Sequence, residues 1–498
     1  MSDGHGFRPQ SLTPMVARRI DVDAWVGWLL RTHRLAARPG VSDVAFGAQL
    51  AAAGYPADAS FVGRCEAGQD SAPEAMITAY ERVLGLPPGQ LTSVCEGARF
   101  ALAGQLASPP DLTRSEVVDR LALVDARIEG ATATGADWLT LTTLADGPHP
   151  VMLPPRLART WVRQLLAETV RAARSARTTR IQALCRLVRN PQTKDAVVDV
   201  VFDLVATPGA AGMATALGVI GTSADPRLID RLITTLEEPC AHARRAAAHA
   251  LLTPISQDRL TASQRARIGE GVLGVCRHDP QRAATAVVLA SRLSPGLVRQ
   301  ATSLLGHDPR PLHHRQQPSP ELYARLTEAR HDLDPKDPVL AQLLHAALVG
   351  HFPERRHHAL QLLGASPYRS ALADRATGLI ATSDDPVTRS TAAMTLPYLA
   401  GSAQQRGLLD LLSGSSPLVR PSALQALAHG AEIPPWFSLR PHLRDPLTQT
   451  SAVFAAGMSG HPDLAAATDA DCVSAQVRQS ARWWMAHGTR VEDAPATA

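Results

Sequence analysis

A chain of 498 residues is too long for one ordinary core and predicts two to four domains, and 45% apolar residues exclude global disorder. Aromatic residues make up only 4% while 83 residues are alanine, so helices packed through small side chains are expected and a β-sandwich or barrel is excluded. Fifty basic against 46 acidic residues leave +4, so no bulk charge marks a nucleic-acid or membrane protein. All the basic residues but Lys194 and Lys336 are arginine, a high-GC coding bias rather than a binding signature.

The first residues, Met-Ser-Asp-Gly-His, lack a basic segment leading into an apolar run, so no signal peptide is expected. Six scattered cysteines without a Cys-x-x-Cys pair fit a reducing compartment, and the chain reads as cytoplasmic. The longest uncharged run, 204–221, contains Pro208 and three interior glycines, so no membrane span is expected. Residues 1–20 read as a flexible arm. Residues 21–104 then predict five short helices. Trp25, Val26, Trp28, Leu29 and Leu30 give the first its apolar side, Ser42 caps the second, and Asp58 caps the third, with Val62 and Cys65 on its inner face. Met76, Ile77, Tyr80 and Val83 mark the fourth, and the fifth opens at Leu86-Pro87-Pro88-Gly89-Gln90-Leu91.

The run Arg64-Cys65-Glu66-Ala67-Gly68, then Pro73, then Leu84-Gly85-Leu86 ending at Leu91 resembles the lambda-repressor-like (XRE) helix-turn-helix family. That resemblance implies a third helix lying in the major groove of double-stranded DNA, with Ala59, Ser60, Phe61, Gly63 and Arg64 outward and Ser42 among the DNA-contacting positions. Arg64 would read guanine through its guanidinium fork, Ser60 would donate to a base or phosphate, and Phe61 would touch a thymine methyl. One such unit reads a half-site, so a homodimer is implied. Several features depart from the family: Asp43 stands where members often place a phosphate-binding glutamine, the turn is one residue longer, Cys65 replaces a large apolar residue, Gly63 weakens the reading helix, and residues 1–104 carry nine arginines against ten acids.

Residues 105–155 read as a linker with one helix at 115–128, and 131–155, rich in glycine and proline, as irregular chain or a short hairpin. The sharpest charge asymmetry follows: 151–194 holds nine arginines and Lys194 against Glu168 alone. On one continuous helix Arg156, Arg159, Arg163, Arg171, Arg174 and Arg177 would share a face about 120° wide, opposite Leu157, Trp161, Leu165 and Leu166. Such a face is a possible phosphate stripe; its alternatives are a solvated surface or an acidic protein partner.

Beyond 156 the chain repeats. Pro353, Pro386, Pro417, Pro446 and Ala475 are spaced 33, 31, 29 and 29 residues apart. Six residues after each anchor stand Ala359, Ala392, Ala423, Ala452 and Ala481; Arg356, Arg389, Arg420, Gln449 and Arg478 follow at three, and Leu363, Leu396, Leu427, Ala456 and Met485 at ten. Pro208 with Ala214 and Pro280 with Ala286 extend the pattern upstream. A period near 30 with two helices per unit marks an α-solenoid. The Pro-x-x-Arg-x-x-Ala text resembles HEAT repeats over 156–490, with an insertion loop expected at 306–320 and a disordered tail at 491–498.

The remaining candidates are weaker. Eight of the 18 histidines lie between 307 and 358 but without metal-ligand spacing, so surface or packing roles are expected and no metal. The string Gly269-Glu-Gly-Val-Leu-Gly274 follows no strand and is not a dinucleotide fingerprint. Trp483-Trp484 near Asp469 and Asp471 admits a HEAT-repeat DNA glycosylase only weakly, because adjacent helical residues point about 100° apart. Cys65 is expected as a buried core thiol.

The expectation is an all-α protein: an N-terminal five-helix helix-turn-helix domain followed by a HEAT-like α-solenoid. Its expected role is a nucleoid-associated, DNA-binding transcriptional regulator with a protein, peptide or second subunit on the concave face, without enzymatic activity or cofactor. The alternative is a protein–protein interaction scaffold with a degenerate helix-turn-helix.

Overall fold

Caps, proline-started turns and alanine-rich faces turn most of the described residues into helix, and the protein is all-α. The computed structural model describes residues 20–493 except 57, 107–111, 147–150, 239, 281–282, 311–319, 335–336, 351, 415–416, 431 and 469–472. Among these there is no strand, and the one isolated bridge pairs Ala172 with Val491. No helix of the described residues is long and apolar enough to cross a membrane.

The five N-terminal helices form where their caps predict: α1 Val22–Ala37, α2 Asp43–Ala52, α3 Ala59–Glu66, α4 Glu74–Leu84 and α5 Gln90–Ala103. Asp21, Ser42 and Asp58 accept from the backbone N–H groups of Ala24, Ala45 and Ser60. Glu81, buried, accepts from the N–H groups of Gly89, Leu91 and Thr92 and so fixes the start of α5 on α4.

Next come α6 Arg114–Glu129 and α7 Gly135–Asp146. The second lies inside the segment expected to be irregular. Its glycines and threonines give it little helical signal, but tertiary packing overrides propensity: Trp138 is fully buried and its indole N–H donates to Glu168 at 2.9 Å. Helix α8, Pro155–Arg171, then stops, and α9, Arg174–Arg189, starts after two extended residues. Arg174 adopts φ +52° at this corner. The single arginine face expected across 156–177 is therefore cut in two.

Ten helices follow: α10 Lys194–Ala206, α11 Met213–Gly221, α12 Pro226–Glu237, α13 Ala241–Ala250, α14 Leu252–Ser256, α15 Ala262–His278, α16 Ala284–Leu293, α17 Pro295–Leu305, α18 Pro320–Leu333 and α19 Pro338–Leu348. Residues 311–319 of the expected insertion loop lie outside the described residues. The strongest repeats then supply α20 Pro353–Ala365, α21 Arg369–Thr382, α22 Pro386–Leu399, α23 Gln405–Gly414, α24 Arg420–Gly430, α25 Arg440–Arg444, α26 Gln449–Ser459, α27 Asp463–Ala466 and α28 Ala475–His487.

The anchors mark α20, α22, α24, α26 and α28, and these pack successively on one another. The alanine six residues on is at most 2% exposed in all five, the close approach its small side chain permits. At ten residues on, Met485 alone is exposed, because no described helix follows α28 to cover it. Upstream Ala286 is buried as expected, but at Pro208 the register slips: Ala214 is exposed and Ala216 buried, because turns at Gly209 and Gly212 delay the start of α11.

The N-terminal helices share one apolar core with residues 322–399, and α5 wedges between α9 and α20. Arg186 of α9 joins Glu96 of α5 at 2.5 Å and Glu74 of α4 at 3.3 Å, while Arg31 of α1 pairs with Asp337 before α19. At the other end α28 returns to the start of the repeats. A Cβ on Gly209, at φ +73°, would lie 2.4 Å from the backbone of Gln479. Residues 491–493, expected in the disordered tail, are engaged here: Val491 N–H donates to the Arg171 carbonyl at 3.0 Å, and Asp493 pairs with Arg180 at 2.8 Å.

Arg186→Leu strands the buried carboxylate of Glu96 and takes a partner from half-buried Glu74, and thermal or urea unfolding is expected to show a loss of about 3–5 kcal/mol. Gly209→Val imposes both a steric clash and a disfavoured φ; the chain should keep its helical circular dichroism but expand in solution scattering, and unchanged dimensions would refute the closure contact.

Candidate functional site

Helix α3 is held from behind by a buried network. Arg34 donates to Glu66 from Nε at 2.7 Å and from Nη2 at 2.5 Å, Tyr80 donates its hydroxyl to the same carboxylate at 2.8 Å, and Arg34 also reaches Asp43 at 3.0 Å. Asp43 thus serves as an ion-pair partner at the start of α2. Cys65 is buried against α1, and burial pushes its thiol up to about 11, so it is an unreactive core group.

Of the residues expected to meet DNA, Ser42, Ser60 and Arg64 are exposed, while Ala59, Phe61 and Gly63 are half-buried. Arg64 does not project freely. It donates from Nε to Asp70 at 2.7 Å and from Nη1 to Ser60 at 3.2 Å, with its guanidinium 5.7 Å from the Phe61 ring. The Ser60 hydroxyl in turn donates to Asp58.

The expected arginine stripe divides. Arg156, Arg159 and Arg163 are exposed on α8, with Arg159 paired to Asp199. Arg171 bonds its own helix at the Ala167 carbonyl, 3.1 Å away. Arg174 and Arg177, past the break, face inward.

They face a central cavity of about 1590 Å³, walled by α5, α9, α11, α13 and the inner repeat helices α20 to α28. Five arginines (Arg174, Arg177, Arg231, Arg245, Arg369) and five histidines (His33, His242, His249, His357, His429) line it, against the one carboxylate of Glu238 among the described lining. Arg177 donates to Thr215 at 2.7 Å, Arg231 stacks over Phe202 at 3.6 Å, and Arg174 donates to the Gly430 carbonyl. A Cβ on Gly401 would stand 3.3 Å from Arg174 Nη2 and 3.5 Å from Arg369 Nη2, so two like charges share one corner. Burial, then the Arg369 and Arg490 charges, pushes Arg174 down to about 10, and burial also lowers Arg177 and Arg369.

His357 shares a 2.8 Å hydrogen bond with the Tyr398 hydroxyl; burial, with His358, Arg177 and His249 nearby, holds it well below the ordinary imidazole range. His429 packs on Phe454 at 5.3 Å, and burial with Arg177 and Arg490 lowers it to about 3. The arrangement is a cation- and donor-lined chamber suited to an anion. Among the described residues no group of three or more histidine, cysteine or acidic side chains could hold a metal. Trp483 and Trp484 are both buried; Asp469 and Asp471 lie outside the described residues.

Two residues of the stripe, Arg174 and Arg177, were visible in the sequence, but Arg231, Arg245, Arg369, His357 and His429 were not singled out for this role. A usable signal lies in the repeat register. The residues eight after the first four anchors, Gln361, Met394, Gln425 and Phe454, line the cavity, as do Ala365, Tyr398 and His429 twelve after the first three.

Histidines held neutral in the fold set a pH dependence. With folded values of about 4 for His358 and about 3 for His429 against 6.5 unfolded, the unfolded chain binds more protons below pH 6.5. Stability is whole above that pH and falls as the medium is acidified. The urea midpoint should drop between pH 7.5 and 5.5, and His429→Gln should remove about 1 kcal/mol of the drop.

No protein-family model matches the chain, and no curated protein matches it. Among solved structures, one described as the crystal structure of an engineered protein is 15% identical, with 94% of this chain and 98% of that one covered, at a TM-score of 0.19. A likeness of that size carries no argument about fold or function.

Proposed function

We propose that the protein is a DNA-binding regulator in which α2, the connection that follows it and α3 act as a lambda-repressor-like helix-turn-helix. The helix pairs from α8 onward act as a HEAT-like α-solenoid that takes a partner or signal. The observation that supports it is the division of α3: an inner side locked by the Arg34–Glu66–Tyr80 network, and an outer side presenting Ser60 and Arg64 to solvent. In this reading Arg64 exchanges Asp70 for the O6 and N7 acceptors of a guanine, and Asp70 penalises sites that offer no equivalent partner. Exposed Arg156, Arg159 and Arg163 are the remaining candidates for phosphate contact. A homodimer would read two half-sites.

A second reading has an observation of its own. Asp43, Asp58 and Asp70 surround the outer side of α3, and carboxylates repel the DNA backbone, which favours a scaffold whose helix-turn-helix is degenerate.

Selection of sheared genomic DNA by the full-length protein separates the two. The regulator enriches a defined, palindromic motif, and enrichment of nothing leaves the scaffold. Arg64→Ala should lose about 1–3 kcal/mol of base discrimination with the fold intact, whereas Asp70→Asn should raise affinity on all sequences.

A further inference from the structure

We propose that the central cavity binds an extended acidic peptide segment of a partner protein. This rests on reading the inner helices as a partner-binding solenoid, and it does not depend on DNA recognition by α3.

Size is the first argument. At about 1590 Å³ the cavity exceeds the roughly 300–1,000 Å³ of ordinary small-molecule pockets. Its walls also come from successive parallel layers, which suits an elongated occupant rather than a compact one.

Charge is the second. The lining arginines face a single carboxylate, and Arg174 and Arg369 crowd the corner at Gly401 without a counter-ion from the lining. The Arg369 guanidinium has no hydrogen-bond or ion-pair partner among the described residues. Guanidinium groups brought together in this way raise the energy of the empty chamber and lower it when carboxylates enter, each able to take two parallel N–H donors.

The third argument concerns the peptide backbone. Gln361 on α20, Gln425 on α24 and Gln449 on α26 stand along one wall. A side-chain amide donates and accepts at once, as a peptide unit does, so a row of them grips a main chain irrespective of its sequence.

The aromatic surfaces decide between peptide and single-stranded nucleic acid. Base stacking requires open ring faces. Here Arg231 covers Phe202 at 3.6 Å, and Trp484 is 2% exposed with its edge against Phe454.

The test is fluorescence anisotropy on the full-length protein with a fluorescein-labelled dodecapeptide of alternating glutamate and alanine. A lysine–alanine counterpart and a thymidine dodecanucleotide serve as controls. The glutamate peptide should bind at low salt and weaken as salt rises, and the lysine peptide should not bind. Arg369→Gln, at a side chain with no partner to lose, should weaken binding about tenfold or more, and exposed Gln425→Ala should weaken it by a smaller factor. The melting temperature of each variant, unchanged, shows that the fold is intact. Failure of the glutamate peptide to bind, or equal binding by wild type and both variants, would overturn the proposal. Displacement of the peptide by the oligonucleotide would assign the chamber to nucleic acid and overturn it too. A negative genomic selection with positive peptide binding defeats only the DNA reading, and the converse result defeats only this one.

Discussion

The structure depends on two guanidinium groups buried on one helix. Arg180 of α9 is 0% exposed, yet all three of its nitrogens are bonded: to Glu168 at 3.0 Å, to Asp493 at 2.8 Å, and to the carbonyls of Ala176 and Ala133. Arg186, two turns further on, holds Glu96, Glu74 and Thr143. A buried charge costs several kcal/mol to desolvate and survives only when its whole donor set is used. Lysine could not replace either residue, since one ammonium cannot reach partners that lie in several directions. Through these two side chains α9 fastens the N-terminal helices on one side and residue 493 on the other.

That arrangement resolves the charge asymmetry of 151–194. Ten cations beside one acid would repel one another if the segment were left to itself. The missing carboxylates arrive from distant sequence: Glu74 and Glu96 from the N-terminal helices, Asp199 for Arg159, Asp225 for Lys194, and Asp493 from beyond α28. Once these pairs are subtracted, Arg174 and Arg177 are among the arginines that form no ion pair within 4 Å among the described residues, and both face the cavity. The residual imbalance is thus local, and it coincides with the central chamber.

Much of this was legible where the signal is local. The caps at Asp21, Ser42 and Asp58 and the anchors at Pro353 and Pro386 act within a turn or two, so their helices could be drawn from sequence. Two features were not. Helix α7 forms because Trp138 finds Glu168 on α8, a contact invisible to propensity. The corner at Ala172 is fixed by Val491, more than 300 residues away, and without that knowledge the six arginines appear to share one face. The candidate cavity was illegible for the same reason. Its residues are contributed a few at a time by helices spread over the chain, and only the register at eight positions after the first four anchors and twelve after the first three links some of them.

The N-terminal helices are a wall of that chamber rather than an appendage to it. His33 of α1 lines the cavity and donates to the Ala365 carbonyl at 2.7 Å, while Arg34, the next residue, grips Glu66 of α3. Between α1 and α3 there is no slack, because a Cβ on Gly27 would stand 2.2 Å from the Cys65 carbonyl oxygen. Gln90 and Val94 of α5 also face the chamber, and α5 rests on Glu81 of α4. Coupling between two sites needs a contiguous element whose position both of them bias. Here a single turn of α1 meets both, with the cavity at one residue and α3 at the next, joined through closely packed backbone rather than across a linker.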